Sequence, residues 1–162
     1  MNIAHIVLSL LAVDPLPWHA DWALGLPLIV LTVVIHVLGL LFIDTKTAHV
    51  ESALVDRGGY SVMFVVIVGV TAMSAAALHG IEGVIWAAAF RLVGALPDNA
   101  EAFLYSLGAM TTYGHADLAL EKRWQLLGTL EALDGMLLFG LTTAFLFAII
   151  QRARGLRDQR SR

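Results

Sequence analysis

Apolar and polar positions fall into long blocks along this chain. From Leu24 to Ile43 no Asp, Glu, Lys or Arg interrupts the run, and a helix needs roughly 20 apolar residues to cross about 30 Å of hydrocarbon. A second uncharged block extends from Ser61 to Ile81, with helical character expected to persist past Glu82 and Trp86 to about Arg91. A third, Trp124 to Ile150, is broken only by Glu131 and Asp134. Between the second and third blocks lies LPDNAEAFLYSLGAMTTYGHAD, Leu96 to Asp117, too short to cross a bilayer. Pro97-Asp98-Asn99 resets the chain there, and Asp98 or Asn99 can cap a short helix through about Met110. The pattern predicts an all-α membrane protein with three transmembrane helices plus a re-entrant helix and loop.

The flanks are expected to be irregular. Asp14-Pro15-Leu16-Pro17-Trp18-His19 should interrupt any helix, because proline removes a donor and restricts the residue before it, leaving Trp18 and Trp22 in a loop at headgroup level. The apolar run from Ile3 to Val13 is too short to span and carries no basic n-region, so it reads as an interfacial helix rather than a cleaved signal. Asp44 to Asp56 reads as a polar loop that Arg57-Gly58-Gly59 breaks from the next block. The expected organisation is an N-terminal interfacial segment over 1–23, a first span and loop over 24–59, a domain of outer helix, re-entrant loop and inner helix over 60–151 and a basic tail over 152–162.

Composition supports a membrane setting. The 162 residues are 59% hydrophobic and 14% charged, against about 45 to 50% apolar residues in soluble domains. The net charge of −3 conceals an asymmetry, since Arg152, Arg154, Arg157, Arg160 and Arg162 crowd the end of the chain. Basic segments stay in the cytoplasm, which predicts a cytoplasmic C-terminus, an external pore loop and an external N-terminus. Such a tail suits anionic lipid headgroups and does not suggest nucleic acid. With no cysteine, sulfur redox chemistry, thiolate metal sites and thiol nucleophiles are excluded. No nucleophile-and-base set or phosphate loop suggests an enzyme. No arginine ladder of the voltage-sensor kind is present.

The run Thr111-Thr112-Tyr113-Gly114-His115-Ala116-Asp117 resembles the selectivity filter of the potassium-channel superfamily, whose pattern is Thr-Thr-x-Gly-Tyr-Gly-Asp. The first glycine and the closing aspartate match; His115 and Ala116 replace the aromatic and the second glycine. Trp124 follows Gly114 by ten residues, and Gly135-Met136-Leu137-Leu138-Phe139-Gly140-Leu141-Thr142-Thr143-Ala144 resembles a pore-lining inner helix with Gly135 at the hinge. His79-x-x-Glu82-x-x-x-Trp86-Ala87 upstream is similar to small bacterial ion-channel-like membrane proteins. The resemblance implies a homotetramer in a bacterial inner membrane. It also implies no organic cofactor, with K+ or another monovalent cation held by the carbonyls of Thr112, Tyr113, Gly114 and His115. The alternatives are a non-selective cation pore and a non-conducting module that keeps the loop for assembly.

Residues outside the loop carry further expectations. His79 and Glu82 share a helix face near the outer end of the second span and are expected to brace the back of the pore helix, with Trp86 and Tyr105 as further filter support. As a metal site the pair lacks a third ligand in view. Glu131 and Asp134 cannot face opposite sides of the third span, and at least one should face protein or water. Asp134 is expected either at the central cavity with Gly135, Phe139 and Thr143, or bonded to a neighbouring helix. His36 reads as a satisfied interhelical donor. A Tyr105 to His115 hydrogen bond behind the filter is expected, with cation flux falling as external pH drops through about 6.5, the ordinary histidine value.

Overall fold

The computed structural model describes residues 15–55, 60–114 and 117–160, and their regular structure is helical throughout. Helix α1 covers Pro15–Val55. The expected break at Pro15 and Pro17 does not occur, because the first-turn N–H groups have no intrahelical acceptor and a missing one costs nothing. Trp18 and Trp22 therefore belong to the helix, and Pro27 lies inside it. At the other end Asp44 to Val55 is helical rather than a loop. Polar side chains there bond back onto the preceding turn: Thr45 Oγ1 donates to the Phe42 carbonyl at 2.8 Å and Thr47 Oγ1 to the Ile43 carbonyl at 2.7 Å. The expected interfacial helix at 3–13 and the Arg57-Gly58-Gly59 break lie outside the described residues.

Helix α2, Tyr60–Leu92, stops where Gly94 takes a φ of 72°. The Ala95 N–H then donates to the Phe90 carbonyl at 2.8 Å and the Gly94 N–H to the Arg91 carbonyl at 3.2 Å, a Schellman termination that glycine favours. The chain restarts as α3, Asn99–Met110. Asp98 is its cap, with Oδ1 accepting from the N–H groups of Ala100 at 2.8 Å and Glu101 at 3.0 Å. These backbone donors, Glu101 first, hold the Asp98 carboxyl below the usual range. Arg91 crosses the connection, donating to Asn99 Oδ1 at 2.7 Å and to the Leu96 carbonyl at 3.0 Å. A 3-10 turn over Lys122–Trp124 leads into α4, Gln125–Arg160. The helix thus continues through arginines expected to form a separate tail, and Arg152 donates to Asp44 of α1 at 2.6 Å.

Three stretches, His19–His49, Val62–Leu92 and Lys122–Gly155, are long and apolar enough to cross a membrane. That is compatible with an integral membrane protein, and large apolar side chains such as Val62, Val65 and Met73 stand largely exposed. Helix α1 packs on α2 and α4, while α3 sits between α2 and α4. The main core joins Trp86 and Phe90 of α2, Ala102 and Met110 of α3, and Leu127 and Leu138 of α4. A smaller cluster of Met63, Ile67 and Ile149 holds the other end of the bundle. Lipid is as apolar as leucine, so close fit and polar contacts between helices, rather than burial itself, must hold such a bundle together.

Candidate functional site

Helix α3 is seated at several points on its neighbours. On α4, a Cβ at Gly135 would overlap the Met110 backbone, and one at Gly128 would overlap the Tyr105 hydroxyl. Gly135 is therefore a close-packing point for the end of α3. The Tyr105 ring stands edge-on to Phe90 of α2, with centroids 5.3 Å apart. On the α2 side Gly83 receives Leu107 and Phe103.

Beyond Met110 the chain leaves the helix in steps. Thr111 Oγ1 donates to the Leu107 carbonyl at 2.6 Å, and the Gly114 N–H reaches back to the Gly108 carbonyl at 3.0 Å. Thr112 takes a φ of 58° and Gly114 a φ of 68°. Left-handed backbone suits glycine but costs a β-branched residue about 1 to 2 kcal/mol. Thr111, Thr112, Tyr113, Gly114 and Asp117 are all exposed in the single chain, beside an open cleft of about 530 Å³ lined in part by Gly108, Thr112, Gly114 and Thr129. His115 and Ala116, with the expected Tyr105 to His115 bond, lie outside the described residues. On α4, Phe139 and Thr143 are exposed, and the Thr143 hydroxyl bonds to the Phe139 carbonyl at 2.8 Å.

A second constellation lies in the buried interior, midway along the spans. His36 Nδ1 of α1 meets Glu82 Oε1 of α2 at 2.8 Å, and His79 Nδ1 meets Glu82 Oε2 at 3.3 Å. The Nε2 atoms of both imidazoles lie 3.0 Å from Thr142 Oγ1 of α4. His36 and Glu82 are fully buried, and His79 retains 22% exposure. Deeper in the α3 seat, Asp134 Oδ2 accepts from Thr32 Oγ1 at 2.6 Å and from Trp86 Nε1 at 2.8 Å. Glu131 is fully buried beside Ser106, and neither makes a well-aligned hydrogen bond.

These contacts correct several expectations. His79 and Glu82 are not bonded to α3: His36 of α1 and Thr142 of α4 are their interhelical partners, because the shared face of the pair is turned toward α1 and α4. The residue that joins the pair is His36, whose reading as an interhelical partner stands and whose ring adds a third candidate metal donor. Asp134 does not face a central cavity but bonds to α1 and α2, the neighbouring-helix alternative. Trp86 donates to Asp134 of α4 and shares the core cluster with Ala102 and Met110 of α3. Thr32 and Thr142 were not singled out by sequence, since a threonine inside an apolar run looks like any other.

No family model, no curated protein and no solved structure matches this chain.

Proposed function

We propose that the chain is the subunit of a homotetrameric cation channel of the potassium-channel superfamily, with potassium the preferred ion and Thr111 to Asp117 the filter segment. The observation that carries this reading is the contact of Met110 with Gly135. Gly135 lies ten residues into α4, which at 1.5 Å per residue is about 15 Å along the helix; with the membrane surface taken at the start of α4, that is half of a hydrocarbon layer of roughly 30 Å. A loop starting from that depth supports a re-entrant segment. Irregular backbone at such depth is tolerated only when it is covered by protein or lines a water-filled path. In one chain Thr111 to Gly114 are neither covered nor enclosed, which supports several copies meeting around an axis, where loop carbonyls replace an ion's hydration shell. The arginine-rich end of α4 lies in the cytoplasm beside anionic lipid, and the loop opens outward.

Cation flux into vesicles containing the purified protein tests the reading, together with native mass measurement. Tetramers that pass K+ in preference to Na+ are expected. Monomers or dimers without flux overturn it, and equal K+ and Na+ flux replaces potassium selectivity with a non-selective pore. The double variant His115→Tyr with Ala116→Gly, which restores the filter pattern of the superfamily, is expected to sharpen K+ over Na+ selectivity and to remove the fall in flux at external pH below about 6.5.

A further inference from the structure

The cluster around Glu82 is short of one positive charge. Take both imidazoles neutral and the carboxylate ionised. If both Nδ1 atoms carry protons and donate to Glu82, two bare Nε2 atoms face Thr142, whose hydroxyl has one proton to give. If both protons sit on Nε2, the two lone pairs of Thr142 Oγ1 accept them, but two bare Nδ1 atoms then face the carboxylate at 2.8 and 3.3 Å. A mixed pair of tautomers leaves one such repulsive contact. With the carboxylate ionised, every arrangement of neutral imidazoles thus aims a lone pair at another lone pair inside the bundle, where the cost is high, and one added cation, a proton or a metal ion, removes the conflict.

We infer that His36 Nδ1, His79 Nδ1 and a Glu82 carboxylate oxygen form a binding site for a divalent transition-metal ion of the zinc class. One ring nitrogen from each histidine and a Glu82 oxygen lie within 4.8 Å of one another, and the two Nδ1 atoms are those that face the carboxylate. Donor atoms in a four-coordinate site stand about 3.3 Å apart for bonds near 2 Å, close to the observed carboxylate contacts. Two imidazoles and one carboxylate is a donor set of open zinc sites, which keep a fourth position free, and imidazole selects zinc, copper, nickel or cobalt over magnesium and calcium. The ion removes the lone-pair conflict: both Nδ1 atoms coordinate, and both Nε2–H groups donate to the two lone pairs of Thr142. That hydroxyl is the outer partner that orients ligating histidines. The partly exposed side of His79, beside Phe139 at a centroid separation of 6.3 Å, is the way in. Occupied, the site joins α1 to α2 directly and to α4 through Thr142. It does not depend on the loop conducting ions.

Titration of the purified full chain with Co(II), followed by displacement with Zn(II), tests the site. One Co(II) per chain is expected, with the strong visible ligand-field absorption of four-coordinate cobalt, bleached by zinc. His36→Gln and His79→Gln should each weaken binding by about 100-fold or more, Thr142→Val by about 10- to 100-fold, and His49→Gln not at all. Nitrogen-15 histidine spectra of the wild-type protein guard against misfolded variants: of the six histidines, two should change at Nδ1 on zinc addition. Absence of saturable binding means that an extra proton within the cluster supplies the missing charge, and overturns the proposal. Binding retained in both histidine variants, or no paired Nδ1 change, overturns it equally.

Discussion

Around Glu82, polar side chains from three helices converge inside one chain, within 2.8 to 3.3 Å of one another across each helix boundary. At Thr111 to Gly114 the opposite holds: backbone and side chains stand exposed, and two residues in left-handed conformations turn the chain away from its own helix. Both regions are polar and both sit between apolar helices. The first is closed by residues already present, so it is built for holding the bundle or an ion within it. The second is left open by a single copy, so its covering has to come from other copies or from water. A polar group in an apolar setting thus informs most when its partners are traced, because the same residue types serve opposite ends.

The contrast can be broken most strongly at Glu82. Truncation by Glu82→Ala removes the carboxylate that both the buried His36 and the partly exposed His79 face, and each buried polar group left unsatisfied costs about 1 to 3 kcal/mol, more where a charge is involved. Thermal unfolding in detergent should show that loss, whereas Asp117→Ala in the loop should leave unfolding unchanged and alter flux. Equal stability in both variants would erase the distinction. Gly135→Ala comes next. Its new methyl must displace the Met110 backbone, and overpacking of this kind costs about 1 to 3 kcal/mol; flux should fall with it, because the loop starts at that seat. A milder effect is expected from Trp86→Phe, which keeps an aromatic ring in the core but removes one donor from Asp134, a loss of about 1 kcal/mol readable in the same unfolding assay.

The smallest effect lies at the start of α3. The Asp98 carboxyl is held below its unfolded value of about 3.9 by the N–H groups of Glu101 and Ala100. A depressed carboxylate stabilises the fold above the unfolded value, and that contribution disappears as pH falls through the folded one. The protection of first-turn α3 amides, taken relative to their intrinsic exchange rates, should therefore fall in acid below about pH 4 in the wild type. In Asp98→Asn, whose cap does not titrate, it should stay flat.

Much of the scaffold was legible because it depends on local rules. Uninterrupted apolar runs marked three long helices, the Asp98 cap follows from a side chain bonding two residues away, and Gly114 occupies a left-handed position of the kind glycine serves. The misreadings came where local rules are permissive. Pro15 and Pro17 are breakers in a helix interior but harmless in its first turn, and the polar stretch after Asp44 stays helical because its threonines bond to their own helix. The cluster was only half legible for another reason. His79 and Glu82 are one turn apart, so their pairing could be read from spacing, but His36 and Thr142 lie far away in sequence and only the packing of α1 and α4 against α2 brings them in. Asp134 failed likewise: spacing fixed which residues share its face but not which helix that face meets.

The most direct test of the loop's role is an electron cryomicroscopy map of the full chain in lipid nanodiscs with potassium present. The expected map contains four copies, with the carbonyls of Thr112, Tyr113 and Gly114 turned toward a common axis and ion density between them. A single copy, or an assembly whose loops point away from one another with no density at the axis, would contradict the channel reading.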